Sequence, residues 1–245
     1  MQNTKARILD TAERLFAEHG YDATSLRAIT REAGVNLAAV NYHFSSKEAL
    51  LRALFARSLE LLNRQRLAML DAYEAEAGGQ PVPVEKIVRA LMEPVLRLGG
   101  DPGSGGSGFG MLLGRMYSWP SAQVNRIFVA EIREQIERFR SAFRRALPRL
   151  PAGELYWRIF FSIGAMAHTL AGSSLLEIIS DSICDPMDLD GKVERLIDYV
   201  VAGLQAPPPA RLREKTRKQG RPFPNNLAID PPNGGVGKSP DAARR

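Results

Sequence analysis

Apolar residues recur every three or four positions along most of the chain, which is the spacing of one face of an α-helix. In the first such segment, roughly residues 3–19, the apolar positions are Ile8, Leu9, Ala12, Leu15 and Phe16. Gly20 follows it as a terminating glycine would. Two short helices are then predicted at about residues 25–33 and 37–43, with Gly34 between them. No segment alternates convincingly between apolar and polar residues as a strand does, so the pattern predicts an all-α fold.

Longer helices are predicted for the rest of the chain up to about residue 205. One begins after Ser45 or Ser46 and reaches Glu76, and Ser45 with Glu48 has the spacing of a capping box. Another covers about residues 84–98, where Pro94 either kinks or shortens it. The glycine- and serine-rich run at 99–110 predicts a flexible loop. Further helices are expected at 111–119, 121–147, 153–180 and 189–204.

The distribution of charge along the chain is more informative than the net charge. The 245 residues include 33 Lys and Arg against 27 Asp and Glu, a net charge of +6. Residues 1–205 carry 24 charges of each sign, so the excess lies in residues 206–245, which hold 9 basic and 3 acidic residues. That stretch is rich in Pro and Gly and nearly lacks core residues, which predicts a disordered basic tail. The rest of the chain must therefore act without a bulk positive field.

Several classes of protein are disfavoured by composition. The one cysteine, Cys184, leaves no disulfide framework or multi-cysteine metal site and suits a reducing cytoplasm. The N-terminus has no apolar signal core, and the uncharged stretch between Arg158 and Glu177 holds too many small and polar residues for a membrane span. Glycine patterns at 103–108 and 234–239 resemble nucleotide-binding loops, but the first follows no strand, and the second has Pro232 at its leading glycine position with no helix after it. Three histidines without a nearby nucleophile pattern indicate neither an enzyme nor a cofactor or metal site.

The segment from Thr24 to Lys47 holds the most informative pattern. A short helix, a turn beginning at Gly34 and a second short helix have the arrangement of a helix-turn-helix. Glycine permits the positive φ that such a turn needs, and Val35 would plug the small core between the helices. In this motif the second helix lies in the major groove of DNA, with its N-terminal residues near the base edges.

Six short runs occur in one order over the first 50 residues: Ile8–Phe16, Gly20–Tyr21, Thr24–Ile29, Ala33–Asn36, Tyr42–Phe44 and Ser46–Leu50. Together they resemble the TetR/AcrR family of bacterial transcription regulators. The resemblance implies a homodimer with a DNA-binding domain at residues 1–50 and an effector-binding and dimerisation domain at 51–205. The tail at 206–245 is an addition that the usual architecture of this family does not need.

The resemblance also implies roles for individual residues of the DNA-binding domain. Contacts to phosphates are expected from Asn36, Tyr42, His43 and Lys47, with help from Thr24 or Ser25 and from the dipole at the start of the fourth helix. The residues expected to face bases are Leu37, Ala38, Ala39 and Asn41, and Arg27 would reach a guanine or a phosphate. Tyr42 could instead belong to the core and His43 could be a solvated helix end, while Phe44 is expected in the core.

The recognition helix departs from the common family pattern. Many members carry a small or basic residue followed by Gly and Thr, where this chain has Leu37, Ala38 and Ala39. These side chains can touch thymine methyl groups but cannot read guanine, whereas Asn41 can pair with adenine. Backbone contacts and DNA shape should therefore carry much of the specificity. The run 35–44 and the segment 147–158 are similar to the PsrA-type subgroup, which senses long-chain fatty acids.

For the second domain the resemblance implies an effector pocket among the middle helices and a dimer interface from the last two. Aromatic residues and methionines line adaptable apolar pockets. The candidates are Met111, Leu112, Met116, Tyr117, Trp119, Phe139, Phe143, Phe161, Met166 and His168. Each could instead be ordinary core, and His168 a satisfied core or interface histidine. The helix at 153–180 is apolar on more than one face, so with that at 189–204 it suits a four-helix interface.

The sequence thus predicts a dimeric, cytoplasmic, ligand-responsive DNA-binding regulator, which in this family is usually a repressor. It would bind a palindromic double-stranded operator and be released by a small apolar effector such as a fatty acid or an acyl-CoA. The alternative is a ligand-independent DNA-binding or architectural factor whose C-terminal domain serves only dimerisation. The basic cluster at 211–221 either keeps the tail solvated or contacts the minor groove as an AT-hook does.

Overall fold

A computed structural model describes residues 4–100, 121–171, 174–185 and 187–208. These residues form helices and no strand, as the periodicity predicts. The first four helices are α1 (Thr4–His19), α2 (Leu26–Glu32), α3 (Leu37–His43) and α4 (Lys47–Glu76). The others are α5 (Val84–Gly100), α6 (Ala122–Glu131), α7 (Arg133–Ala146), α8 (Ala152–Ala171), α9 (Ser174–Ile179) and α10 (Leu189–Gln205). None of the helices described combines the length and apolarity that crossing a bilayer requires.

The first three helices pack around a small core that includes the start of α4. Its apolar side chains are almost completely removed from water and come from every one of these helices: Ile8, Phe16, Ile29, Val40, Phe44, Leu50 and Leu54. Phe44 is therefore a core residue, as expected. Because α3 gives this core only Val40, most of its surface stays free for another partner.

Helix α4 is common to both expected domains. It spans 30 residues, or about 45 Å at about 1.5 Å per residue. Ser46 caps it by accepting a hydrogen bond from the Ala49 N–H at 3.0 Å, so the capping-box pairing of Ser45 with Glu48 does not form. It packs against α1, α5 and α6. The expected domain boundary between residues 50 and 51 falls inside this helix, so a movement of α4 concerns both domains.

Helix α5 is the central helix of the effector domain and packs against α4, α7, α8 and α10. Its buried face includes Val88 and Val95, and α10 contributes Val193 and Ile197. Arg89 joins α5 to α10, with its two terminal nitrogens 2.7 and 2.8 Å from the carboxylate of Glu194. The hydrogen bonds to Glu194 raise the pKa of the Arg89 guanidinium above its already high value.

Two helices differ from the sequence prediction. The helix expected at 121–147 is interrupted at Ile132, whose φ of −111° and ψ of 16° leave the helical region. Within the helix expected at 153–180 the structure has α8 and α9, and residues 172–173 between them lie outside the described residues. Pro94 does not shorten α5, which continues to Gly100, since a proline removes only one helical hydrogen bond. The predicted helix at 111–119, and the tail from residue 209 onward, lie outside the described residues.

Candidate DNA-reading surface and effector domain

Helix α2 is capped at its start by Ser25, and the turn that follows it is held by Gly34 and Arg7. Ser25 caps α2 by accepting a hydrogen bond from the Ala28 N–H at 3.1 Å. Gly34 has a φ of +62°, a conformation that side chains with a Cβ rarely adopt. From α1, the Arg7 guanidinium donates to the carbonyls of Ala33 at 2.8 Å and Gly34 at 3.1 Å. The angle between α2 and α3 is thus fixed by a glycine turn and an arginine that the sequence did not single out.

Helix α3 turns one face to the core and the other to solvent. Asn36 caps it, with Oδ1 accepting from the Ala39 N–H at 2.8 Å. Val40 is buried, whereas Leu37, Ala38, Asn41 and Tyr42 are exposed, and Tyr42 reaches 84% exposure. The interpretation of Tyr42 as a core residue is therefore wrong. Ala39 and His43 are half-buried at the edges of this face.

Two of the residues expected at phosphates are engaged inside the domain. Thr24 is buried, and its hydroxyl donates to the carbonyls of Gly20 at 2.8 Å and Leu15 at 3.2 Å. A phosphate contact from the Thr24 hydroxyl does not fit this position. Lys47 is half-buried with its Nζ 4.2 Å from the ring centre of Tyr21, and burial lowers the pKa of its ammonium although Asp22 opposes this. Ser25 and Arg27 are exposed beside α3.

Helix α4 is clamped to α1 by Arg57. Its two terminal nitrogens lie 2.6 Å from Oδ1 of Asp10 and 2.8 Å from Oε2 of Glu13. Glu13 is buried, and this burial raises the pKa of its carboxyl group, while the hydrogen bond and charge of Arg57 lower it. The clamp ties the orientation of the DNA-binding domain to the first half of α4.

A second contact connects the start of α4 with the effector domain. Gln123 on α6 donates from Nε2 to Oε2 of Glu48 at 3.3 Å. Hydrogen bonds from Arg52 and then Gln123 lower the pKa of the Glu48 carboxyl group. Two turns further along α4, the rings of Phe55 and Phe128 meet edge to face with centroids 5.5 Å apart. Helix α6 therefore contacts the first turns of α4, which directly follows α3 along the chain.

The predicted pocket residues do not all lie in one place. Phe139, Phe143 and Met166 are buried in the effector domain. Phe161 is 62% exposed and His168 is also exposed, so these two do not line an internal pocket. They lie on the outward face of α8, because amphipathic periodicity cannot tell a face buried in the subunit from one covered by another molecule. The remaining candidates, Met111, Leu112, Met116, Tyr117 and Trp119, lie outside the described residues.

The exposed side of α8 and the segment after it form a band of large apolar side chains, here called the apolar band. Its rings from α8 contact one another: the centroids of Trp157 and Phe161 are 5.6 Å apart with tilted rings, and Trp157 meets Phe160 edge to face at 6.1 Å. The band also contains Tyr156, Leu176, Ile178, Ile179, Ile183 and Met187. Clusters of exposed apolar residues this large mark interaction sites in soluble proteins.

Arg158 is a structural residue that the sequence did not single out. It is buried, and its Nη1 donates to the carbonyls of Gly203 at 3.0 Å and Leu204 at 2.9 Å, at the C-terminal end of α10. Its Nε pairs with Glu154 at 3.0 Å. A signal was present, since Arg158 occupies the same helical stripe as the buried Leu155 and Met166.

Two family models match this chain. The model described as bacterial regulatory proteins, tetR family, matches residues 8–54, and the tetracyclin repressor-like C-terminal domain matches residues 89–203. The HTH-type transcriptional regulator UidR of Escherichia coli (strain K12) is 36% identical over 59 residues, 24% of this chain and 30% of that protein. Matches to the curated relatives span 18 to 37% of their length.

Two solved structures share the fold along most of the chain. The transcriptional regulator FadR of Bacillus subtilis, in complex with stearoyl-CoA, has a TM-score of 0.54 at 16% identity and covers 81% of this chain and 98% of that one. SmeT, in complex with triclosan, has a TM-score of 0.52 at 22% identity, and the match covers 85% of this chain and 97% of SmeT. At this level of identity the likeness shows the fold alone.

Proposed function

Because the chain belongs to the TetR family of bacterial transcription regulators, we propose that it binds a palindromic operator as a homodimeric repressor and that a small apolar effector releases it. The observation that carries the proposal is the outward face of α3. This face presents Leu37, Ala38, Asn41 and Tyr42 to solvent while Val40 anchors the helix from behind. An exposed helix held rigidly by its neighbours is what entry into a major groove requires.

The contacts to DNA divide by side-chain chemistry. Asn41 pairs with an adenine, and Leu37 and Ala38 touch thymine methyl groups, with Ala39 at the edge. Tyr42, His43, Lys47 and the amide nitrogen of Asn36 contact phosphates, because capping α3 uses only the amide oxygen of Asn36. Ser25 and Arg27 contact the backbone from α2. We leave the Thr24 hydroxyl out of this set because two carbonyls already occupy it.

The apolar band is the proposed dimer interface. Trp157, Phe160 and Phe161 would pack against the same residues of a second copy, and His168 would lie at the same interface. Exposed residues of α10, such as Tyr199, would complete a four-helix contact. A twofold interface of this kind would place two α3 helices on one side of the dimer, as a palindromic operator requires.

Release of the operator would depend on a movement of α6 that is passed to α4. An effector that moves α6 acts on Glu48 through Gln123 and on Phe55 through Phe128. Since Arg57 clamps α4 to α1, a tilt of α4 would carry the DNA-binding domain with it. Major grooves recur at a fixed interval of about 34–36 Å, so a small change in the separation of the two α3 helices weakens binding.

The effector we favour is a fatty acid or an acyl-CoA, within the broader class of small apolar molecules. FadR of Bacillus subtilis is described in complex with stearoyl-CoA, and SmeT with triclosan, so two proteins of this fold hold ligands with a large apolar part. The similarity to the PsrA-type subgroup points the same way. Phe139, Phe143 and Met166 are the described residues that we assign to the apolar lining. We propose that the protein acts by binding, without catalysis, in the cytoplasm beside its DNA.

Operator release tests this proposal. DNA selected by the protein from a random library would be used in mobility-shift titrations against fatty acids and acyl-CoAs of increasing chain length. We expect release within a limited range of chain lengths. Unchanged DNA binding with every chain length would exclude the acyl effector and favour a ligand-independent DNA-binding factor.

A further inference from the structure

The core anchors of α3 come after its first residues. Leu37 and Ala38 are exposed, and Ala39 is half-buried. The buried side chains, Val40 and Phe44, lie in the middle of the helix and directly after it. In a helix-turn-helix it is the N-terminal residues of the second helix that lie nearest the base edges. The position of the end of α3 that reads DNA therefore depends on the turn before it.

The turn before α3 uses its amide hydrogens internally. The Gly34 N–H donates to the carbonyl of Arg31 at 3.2 Å, and the Val35 N–H donates to the carbonyl of Thr30 at 3.0 Å. Val35 also packs, half-buried, against the core. The carbonyls at the end of a helix have no donor within that helix, so the carbonyls of Ala33 and Gly34 need donors from elsewhere.

Arg7 of α1 supplies the donor for both carbonyls. Its Nη2 lies 2.8 Å from the oxygen of Ala33 and 3.1 Å from that of Gly34. A Cβ added to Gly34 would be 3.8 Å from the same nitrogen, so the guanidinium lies directly against the turn. Hydrogen bonds from a charged donor are stronger than neutral ones, and a cation complements the negative end of the α2 dipole. The next residues of α1, Ile8 and Leu9, are buried in the core, so the donor is carried by a firmly packed helix.

We infer that Arg7 is a positioning residue for base recognition. By holding the carbonyls of Ala33 and Gly34, it fixes the start of α3 at the angle with which this helix enters the major groove. The inference rests on the proposed function, because it takes α3 to be the helix that reads DNA. Arg7 acts through the turn, whereas Leu37 and Asn41 contact the bases.

Specific and non-specific binding depend on this contact to different degrees. Base contacts require a binding residue to be held within about 0.5 Å of its productive position, so a loosened α3 must be ordered when it binds the operator. Binding to random DNA arises from attraction to phosphates and carries no sequence information. Loss of the Arg7 contact should therefore lower the affinity for the operator much more than the affinity for random DNA.

A matched pair of substitutions in the full-length chain tests this difference. Arg7→Met removes the donor at similar side-chain length. Arg14→Met is the control, since Arg14 also joins α1 to α2, through an exposed ion pair with Glu32 at 3.4 Å, and its loss removes the same charge. We expect Arg7→Met to bind the selected operator about tenfold more weakly. We expect both variants to stay within about twofold of the wild type on random DNA, and Arg14→Met on the operator as well.

Two further measurements distinguish positioning from a direct contact with DNA. A lost phosphate contact lowers the slope of log affinity against log salt by about 0.9, so Arg7→Met should keep the same slope as Arg14→Met. Hydrogen exchange of the Val35 amide should be faster in Arg7→Met, while the amides of α4 exchange as in the wild type. Arg7→Gln keeps a polar side chain at this half-exposed position and should show the same selective loss, so it carries the test if Arg7→Met does not fold.

The ratio of operator affinity to random-DNA affinity decides the outcome. Equal losses on both DNAs, an unchanged ratio, or a slope flatter than that of Arg14→Met would overturn the inference, and the proposed function would survive because the wild type still selects an operator. Unchanged exchange of the Val35 amide in Arg7→Met would also overturn it. A wild-type protein that discriminates no DNA sequence would contradict the proposed function and this inference with it.

Discussion

Gln123 of the effector domain donates a hydrogen bond to Glu48 in the first turn of α4, with 3.3 Å between Nε2 and Oε2. Only three residues separate Glu48 from Phe44, the core residue that follows the recognition helix. The contact is therefore placed where a shift of α6 reaches the DNA-binding domain through the shortest length of chain. It is also exposed, so changing it should disturb communication more than folding.

The first prediction concerns this contact. Gln123→Leu should keep operator affinity close to that of the wild type, because Gln123 is far along the chain from the reading face of α3. The loss of operator affinity that a saturating effector causes should become severalfold smaller, since a polar contact between α6 and the first turn of α4 is gone. Mobility-shift titrations with and without effector measure this, with Gln65→Leu as the control. An unchanged effector response would mean that Gln123 does not couple effector binding to operator affinity.

The second prediction distinguishes a side chain that contacts bases from one that contacts phosphates. Asn41→Ala should weaken binding to the selected operator by about 1–3 kcal/mol and relax the preference at one base pair. Tyr42→Phe should weaken all DNA sequences alike, because a phosphate contact carries no sequence information. Both side chains are exposed, so the Tm should not change. Equal losses on specific and random DNA for Asn41→Ala would contradict the assignment.

The third prediction concerns the apolar band. Phe160→Glu places a charge among Trp157 and Phe161 and should convert the dimer to monomers in sedimentation experiments. Leu61→Glu is the matched control, since Leu61 is an exposed apolar residue of α4 outside the band. A dimer that persists in Phe160→Glu would place the interface elsewhere on the molecule.

The fourth prediction concerns the end of α10. Arg158→Met leaves the carbonyls of Gly203 and Leu204 without their donor and Glu154 without its cation, so we expect a loss of about 2–4 kcal/mol in the free energy of unfolding. Arg195→Met removes an exposed ion pair with Asp188 and should cost about 0–1 kcal/mol. Denaturant unfolding compares the two. Equal losses would mean that Arg158 does not cap α10.

The fifth prediction is a dependence on pH. Burial raises the pKa of Glu13 above 4.5, so its protonated form favours the fold; this contribution is complete below pH 4.5 and is lost as the pH rises through the raised pKa. Gln mimics the protonated form. Glu13→Gln should therefore gain stability relative to the wild type as the pH is raised from 4 to 7. Denaturant unfolding at a series of pH values measures the difference in the free energy of unfolding between Glu13→Gln and the wild type, with the value at pH 4 as the reference. A difference that stays constant from pH 4 to 7 would contradict the prediction.

Helical periodicity predicted the all-α fold, and Gly34 predicted the turn after α2, because each depends on neighbours along the chain. It did not predict that the Thr24 hydroxyl bonds to carbonyls of Leu15 and Gly20. Threonine at the end of a turn has the same sequence pattern whether its hydroxyl faces inward or toward a phosphate. The partner is decided by packing that brings distant backbone within reach.

The apolar residues of α8 illustrate a second limit. Met166 and Phe161 belong to the same apolar helix pattern and were both expected to line the pocket, but Met166 is buried and Phe161 is exposed. The sequence reveals which faces avoid water, and it does not reveal whether the subunit, a ligand or a second copy covers them. The break at Ile132 was also not indicated, since no proline or glycine marks it.

The central claim is that two copies of α3 read one symmetric site on DNA. Footprinting of the full-length protein on its selected operator tests it most directly. We predict two protected half-sites of inverted sequence, with centres one helical turn or a multiple of it apart, about 34–36 Å per turn, and loss of protection with Asn41→Ala at the same protein concentration. A single asymmetric footprint, or uniform protection of unrelated DNA, would contradict the account.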